Sequence, residues 1–301
     1  MWNNAQGEFV RYTSQFRNRV SKVEPGRYHL YISWACPWAH RTAIVRSLLG
    51  LQDAISLSAV GPVWNDKGWT FTDNEPGVIP DFVNHQRDLI DIYRLADPKY
   101  DDEETTPVLW DKEARTIVNN ESLEIIKMFA TDFLPIAKNK IDLYPESLRG
   151  EVDRVVEEIY PSINNGVYMA GFATSQKAYE RAYIHLFKAL DYWEGELGKR
   201  RYMVGSQLTL ADICLFTTLL RFDLVYYSHF KCNRQHIYEF PNLWGYVRDI
   251  YQTPGVAETC NFDHIKRHYY ISQKDINPTQ IVPVGPVIDF STPHGRERLM
   301  A

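Results

Sequence analysis

The apolar pattern changes its period once, near residue 140, and that switch limits what the chain can fold into. Ahead of it, short runs with strand character alternate with runs of helical spacing. Tyr28 to Ser33 sets His, Tyr and Ser against Leu and Ile in the two-residue repeat of a strand. Trp38 to Leu49 places Trp38, Ala39, Thr42, Val45 and Leu49 on one helical face, and Gly50 ends it. Ile55 to Val60 predicts a second strand and Gln86 to Ala96 a second helix. Pro107 opens a strand that runs to Asp111; Lys112 to Ala114 turns, and Arg115 to Val118 returns. Asn119-Asn120-Glu121-Ser122 then opens a third helix over residues 122–129. Between the second strand and the second helix lies Gly61 to Asn84, irregular and rich in Trp, Pro, Asp and Gly. A loop that long inside a compact domain is usually functional.

Strand–helix–strand–helix–strand–strand–helix is the thioredoxin-like order, with crossovers giving the parallel strands and the hairpin an antiparallel edge. Residues 131–146 read as a linker, and beyond them the spacing is helical throughout. Leu148, Val152, Val155 and Ile159 share a face; Ala178, Ala182, Leu186, Leu190, Trp193 and Leu197 form a longer stripe. Thr209-x-x-Asp212 is a capping pattern with Thr209 as N-cap, and Trp244, Val247, Ile250 and Tyr251 mark a further helix. The tail after residue 262, rich in Pro, Tyr and Ile, is expected to pack over the surface. The expected organisation is an N-terminal arm over 1–27, a thioredoxin-like domain over 28–132, and an all-helical domain with a C-terminal extension over 146–301.

A length of 301 residues suits two domains. The net charge of −5, with no long basic run, disfavours nucleic acid and anionic membrane as partners. No apolar stretch reaches the roughly 18 residues of a membrane span, and the first residues lack an apolar signal core, so a soluble, cytoplasmic protein is expected. The cysteines are Cys36, Cys214, Cys232 and Cys260. None forms a C-x-x-C pair, so the sequence spells neither a zinc cluster nor a two-thiol redox motif, and a reducing compartment fits. Cys214, in an apolar stretch, reads as inert core; Cys232 and Cys260, in polar surroundings, read as incidental.

Cys36 is different. In Trp34-Ala35-Cys36-Pro37-Trp38-Ala39-His40-Arg41 it stands where the first strand hands over to the first helix. A cysteine there turns its sulfur toward unpaired backbone N–H groups and the positive end of the helix dipole, which favours thiolate, the nucleophilic form. Pro37 suits the first helical turn, where a missing N–H costs nothing. The plainer alternative is a small apolar residue that happens to precede a helix.

A thioredoxin-like half, a linker and an all-helical half containing Gly205 and Thr209-x-Ala211-Asp212 resemble a cytosolic glutathione transferase. Further motifs resemble the Xi class, the glutathionyl-hydroquinone reductases. They are Trp34-Ala35-Cys36-Pro37-Trp38-Ala39-His40-Arg41-Thr42, Pro107-Val108-Leu109-Trp110-Asp111, Asn119-Asn120-Glu121-Ser122, Arg221-Phe222-Asp223 and His264-Ile265-Lys266-Arg267-His268-Tyr269-Tyr270. The resemblance implies an α/β thioredoxin-like N-terminal domain plus an all-α glutathione-transferase C-terminal domain. It also implies glutathione as co-substrate, a glutathionylated hydroquinone as substrate, a homodimer, and no metal.

The resemblance also assigns roles. Cys36 is the nucleophile. Pro107 is a cis-proline opposite it, so that the backbone of Thr106 and Val108 can pair with the cysteinyl unit of glutathione as one strand pairs with another. An ordinary strand-opening proline is the alternative. Glu121 and Ser122, at a helix N-terminus, suit the γ-glutamyl ammonium and carboxylate; alone they would read as a cap formed by Asn120 or Ser122 beside a dipole-matching acid. Trp69, in the long loop, is placed against glutathione, although a loop anchor with a buried ring is the other reading. Tyr168, Tyr226 and Tyr269 match the class's active-site tyrosines, Tyr168 as the proton carrier for the leaving hydroquinone and the other two beside the sulfur. Any one tyrosine among 19 would otherwise read as packing.

Arg41 and His40 could hold the site electropositive, but a solvent-facing role for Arg41 is expected. One departure stands out. Relatives often carry a basic residue a few positions before the strand proline, where it can meet a glutathione carboxylate; here the segment is Asp101-Asp102-Glu103-Glu104-Thr105-Thr106, and Glu103 cannot make that ion pair. Arg27 and Lys67 are the candidate substitutes. Two rival functions remain: an omega-like thiol transferase or dehydroascorbate reductase using the same thiol, and a catalytically silent transferase fold serving as a binding module.

Overall fold

Every residue of β1 (Tyr28–Ser33) is buried, as befits a central strand covered on both faces. In the computed structural model, which describes residues 3–72 and 75–299, β1 lies inside a four-stranded sheet of order β2-β1-β3-β4. It pairs in parallel with β2 (Ile55–Val60) and antiparallel with β3 (Val108–Asp111). The edge strand β4 (Thr116–Asn119) is antiparallel to β3. Parallel pairing is therefore confined to β1 and β2. On one face Tyr31, Val108, Trp110 and Ile117 join Leu89, Ile92 and Tyr93 of α2 (Leu89–Ala96) in one core. α1 (Pro37–Leu48) and α3 (Ser122–Thr131) pack against each other. Helix α2 starts three residues later than its apolar spacing predicts. The Asp81 carboxylate accepts from the backbone N–H groups of Val83, Asn84 and Gln86 at 2.9–3.0 Å, which holds that stretch in a turn.

Contacts divide the chain into two compact units. The sheet unit comprises Ser14–Ile141 and Pro254–Ser272; the helical unit comprises the described residues up to Thr13, Asp142–Thr253, and those from Gln273 on. The residues of the expected arm are shared between them. The tail is not surface coil at its start. Phe262–Arg267 forms a helix, α9, and His268–Ser272 a π-helical turn. Asn261 caps α9 by accepting from the His264 N–H at 3.0 Å, and His264, Ile265, Tyr269 and Tyr270 are buried.

The helical unit is built from α4 (Arg149–Ile159), α5 (Gly166–Gly171), α6 (Gln176–Leu197), α7 (Leu210–Arg221) and α8 (Pro241–Tyr251). Every residue of α7 is buried, which makes it the core helix of the unit. Asp212 opens it as the capping pattern predicts: its carboxylate accepts from the N–H groups of Thr209 (2.9 Å) and Met203 (2.8 Å) and from the Tyr246 hydroxyl (2.9 Å). Burial nonetheless pushes its pKa up to about 6. π-helical turns follow α4 (Tyr160–Asn164) and α7 (Phe222–Tyr226), with the Asn165 and Tyr227 N–H groups donating five residues back, to Tyr160 O at 2.7 Å and Phe222 O at 2.8 Å. Cys232 is fully buried rather than in polar surroundings, and desolvation raises its thiol above the ordinary range. Among the described residues no helix is long and apolar enough to cross a membrane.

Candidate active site

Cys36 stands at the junction the sequence predicts. It is the N-cap of α1, extended at φ −73° and ψ 121°, with Pro37 as the first helical residue. Ser33 shapes the turn before it, its carbonyl accepting from the Cys36 N–H (3.2 Å) and its hydroxyl from the Ala35 N–H (3.2 Å). The Trp34 indole N–H ties the same turn to the long loop, donating to Gly77 O at 2.8 Å. Cys36 is half-buried; its side chain makes no cap bond to the α1 N–H groups, contrary to expectation, and its Sγ instead donates to the carbonyl oxygen of Thr106 at 3.4 Å. The Thr106–Pro107 bond is cis. The Thr106 hydroxyl is buried and has no hydrogen-bond partner among the described residues. Val108 is paired in register with Tyr31 and wholly buried, so its side chain belongs to the core.

Helix α3 begins close to the same place. Its N-cap is Glu121, not Asn120 or Ser122: one carboxylate oxygen accepts from the Leu123 N–H at 3.3 Å and the other from the Ser14 hydroxyl at 3.2 Å. Ser122 is buried, with Arg41 Nη1 at 3.5 Å from its hydroxyl. Asn120 turns inward, its amide donating to the Tyr93 hydroxyl (3.1 Å) and Thr105 Oγ1 (3.3 Å), while Tyr93 donates to Thr105 O (2.8 Å). This buried network ties the start of α3 to the segment that carries Thr106. Sequence reading missed it, because Tyr93 looks like any apolar-face residue of α2.

Trp69 is buried, its ring stacked on His268 at 4.5 Å and edge-on to Trp64 at 5.5 Å. Its backbone N–H donates to the Glu104 carboxylate at 2.9 Å, a group whose pKa burial raises. Tyr269, in the π-helical turn, is buried beside His268 at 5.3 Å. Cys36, Trp69, Thr106, Pro107, Val108, Glu121, Ser122 and Tyr269 all fall in the sheet unit. The geometry joins Cys36 to Thr106 and Glu121 to Ser122; Trp69 and Tyr269 share His268 as a neighbour.

Tyr168 and Tyr226 fall in the helical unit and meet there, ring centroids 5.9 Å apart. Tyr168 is the third residue of α5, and both rings are buried. Phe230 contacts both, lying 5.4 Å from each and nearly parallel to Tyr226.

Residues 35–132 match the family model for the glutathione S-transferase N-terminal domain and residues 176–249 the one for its C-terminal domain. The chain is 49% identical over 304 residues to the glutathionyl-hydroquinone reductase YqjG of Escherichia coli K12, covering 97% of this chain and 93% of that one. Among solved structures it superposes on a Xi-class glutathione transferase from Natrialba magadii with TM-score 0.93, at 51% identity, covering 95% of this chain and 90% of that one. The glutathione-bound structure of YqjG gives 0.89, at 52% identity, over 91% and 90% of the two chains. The chain belongs to the Xi class of glutathione transferases.

Within this Xi-class chain, three cations differ from expectation. Arg41 is buried, not solvent-facing. Its guanidinium sits 4.5 Å over the Trp38 ring and reaches toward Ser122, so an arginine on α1 helps hold the start of α3. Arg27 is committed elsewhere: it meets Asp111 at 2.6 Å in a largely buried pair. Lys67 pairs with Asp88 at 3.1 Å. Neither offers a glutathione carboxylate an idle charge. A buried arginine cannot be told from an exposed one in a short helix with a weak apolar stripe, which is why the sequence misplaced Arg41.

Proposed function

We propose that the protein reduces glutathionyl-hydroquinones to free hydroquinones, with glutathione as reductant and Cys36 as nucleophile. The observation that carries this reading is Cys36 Sγ at the N-terminus of α1, 3.4 Å from the Thr106 carbonyl. In this reading the Thr106 backbone and hydroxyl meet the cysteinyl unit, while Glu121 and the α3 N-terminus take the γ-glutamyl end. Trp69 braces the loop beside them. The name of YqjG supports the substrate class. A homodimer working in the cytoplasm belongs to the same proposal.

The chemistry balances without metal or external oxidant. Tyr168 carries a proton to the ring carbon that bears sulfur, making it tetrahedral in a keto tautomer. The Cys36 thiolate attacks the glutathionyl sulfur, the carbon–sulfur electron pair returns to the ring, and the hydroquinone leaves after protonation. Tyr226 and Tyr269 assist as hydrogen-bond donors. A second glutathione attacks the Cys36 mixed disulfide, releasing glutathione disulfide and regenerating the thiolate. Cysteine at this position favours deglutathionylation over conjugation, because the enzyme's own sulfur accepts the glutathionyl group.

Intact-protein mass spectrometry after brief exposure to glutathionyl-hydroquinone tests the proposal. One glutathione adduct on Cys36, with hydroquinone released in equal amount, is expected. No adduct on Cys36, or a higher kcat/KM for a small mixed disulfide than for the hydroquinone adduct, overturns it in favour of a thiol transferase.

A further inference from the structure

The polar N-terminal stretch, which the sequence leaves without a role, is a built part of the helical unit. Asn3 Nδ2 donates to Phe172 O at 2.7 Å, the Thr174 N–H to Gly7 O at 3.0 Å, and the Ser175 hydroxyl to Gln6 O at 2.8 Å. Glu8 pairs with Arg181 at 2.6 Å. Gly7 has φ +77°, and a Cβ there would lie 2.9 Å from Ser175 N, so the chain can pass at this point only as glycine. These bonds deliver two side chains to one place. The Phe9 ring packs 6.3 Å from Tyr168 and 5.3 Å from Phe172. The Arg11 guanidinium sits 4.7 Å from the centre of the Tyr168 ring and 5.2 Å from that of Phe9. Its Nε donates to Asn165 Oδ1 at 2.8 Å, three residues before Tyr168 on the same turn. The half-buried cation is thus fixed over the aromatic ring from two directions.

We propose that Arg11 is a positioning residue for Tyr168: its guanidinium, fixed over the ring, favours the phenolate and so eases release of the phenol proton. A cation within roughly 6 Å of an ionisable group commonly changes its proton affinity tenfold or more, and the effect is largest where water is excluded. Tyr168 is 7% exposed. The rings packed on it are Phe9 from the arm, Phe172 after α5, Tyr226 from the π-helical turn, and Phe230; of these, Tyr226 is the other titratable group. Arg11 supplies the charge. The inference rests on the reading of Tyr168 as the proton carrier.

Arg11→Gln keeps a donor for Asn165 and removes the charge, Arg11→Met removes both charge and donor while keeping an apolar stem, and Arg11→Lys keeps the charge. Tyr168→Phe identifies the Tyr168 component in an ultraviolet phenolate titration of the full chain. In whichever charge-removing variant keeps its near-ultraviolet circular dichroism, that component should move to higher pH by a factor of at least about ten in proton affinity. The pH profile of Cys36 glutathionylation by the hydroquinone adduct should move with it, and reduction of the mixed disulfide by glutathione should stay within about twofold. Arg11→Lys should return most of both. A titration and profile unmoved in Arg11→Gln or Arg11→Met overturns the proposal, as does an Arg11→Lys displacement equal to that of the neutral variants. If instead Tyr168→Phe leaves the glutathionylation rate unchanged, it is the role of Tyr168 that fails.

Discussion

The sheet unit and the helical unit carry their candidate chemistry in different parts of the backbone. In the sheet unit most of it lies at the ends of elements: Cys36 caps α1, Thr106 and Pro107 precede β3, and Glu121 caps α3, with Trp69 in the long loop and Tyr269 in a π-helical turn as the exceptions. In the helical unit it lies within helical segments, on Tyr168 in α5 and Tyr226 in a π-helical turn. Element ends have backbone groups with no intrahelical partner, so they can bind a peptide-like ligand directly. Helix interiors have no such groups to offer, and chemistry there has to come from side chains. In the proposed reading the sheet unit would hold glutathione and its sulfur and the helical unit would move a proton.

The largest effect should come from Cys36→Ser. Serine is a favourable N-cap, so the variant should fold with unchanged or slightly raised thermal stability. Hydroquinone release from glutathionyl-hydroquinone should nevertheless fall to background, with no glutathione adduct by mass spectrometry. Retained turnover would remove the sulfur from the sheet unit's side of the contrast. Next is Tyr168→Phe, which should slow glutathionylation of Cys36 by roughly 10² to 10⁴ while leaving reduction of the mixed disulfide nearly intact. Rapid-quench measurement of the two half-reactions separates them; equal slowing of both would erase the division of labour between the units.

The same division explains what the sequence made legible. Cys36-Pro37, Pro107 and Asn119-Asn120-Glu121-Ser122 punctuate the chain, and punctuation survives in sequence because it breaks a period. β1 and β2 were read with the bounds the structure shows, since a two-residue repeat is hard to mistake. Inside helices there is no such mark. A π-helical turn admits one extra residue and leaves the apolar spacing almost unchanged, so those holding Tyr226 and Tyr269 were invisible, and these tyrosines were named only through family resemblance. Arg11 had no signal at all. Its partner Tyr168 lies 157 residues away, and a polar, weakly periodic arm gives no sign of what it packs on until its carbonyls are seen to accept bonds from Thr174 and Ser175.

Mild acid should sharpen the contrast at the level of stability. In the sheet unit His29 is fully buried between Ser56 (2.7 Å) and Ser58 (3.0 Å), and burial pushes its pKa down to about 3. The unfolded chain binds this proton below about pH 6.5 and the folded one does not. Stability from His29 is therefore lost as pH falls, by roughly 2 kcal/mol between pH 7 and pH 5. In the helical unit burial raises Asp212 to about 6 and raises Asp223 as well. The folded state there takes up protons first, so these groups add stability as pH falls, and His229, pushed down to about 4, offsets part of that gain. Hydrogen exchange corrected for intrinsic rates should show protection in β1–β4 falling relative to α7 and α8 between the two pH values. His29→Gln should flatten the fall. Parallel changes in both units would show that the buried histidine does not control the sheet.

The smallest effect separates two jobs held by one carboxylate. Glu121 caps α3 through the Leu123 N–H and is also the group assigned to the α-ammonium of glutathione. Glu121→Gln keeps an amide oxygen that can accept from Leu123, so the cap survives, but the charge is gone. Glu121→Ala removes both. If charge recognition is real, Glu121→Gln should raise KM for glutathione about fivefold, near 1 kcal/mol, with little change in thermal midpoint. Glu121→Ala should show the same rise in KM and in addition lose about 1 kcal/mol of stability from the missing cap. A glutamine variant with unchanged KM would reduce Glu121 to a cap. The end of α3 would then bind glutathione through its backbone N–H groups alone, and side-chain charge would play no part in how the sheet unit holds its ligand.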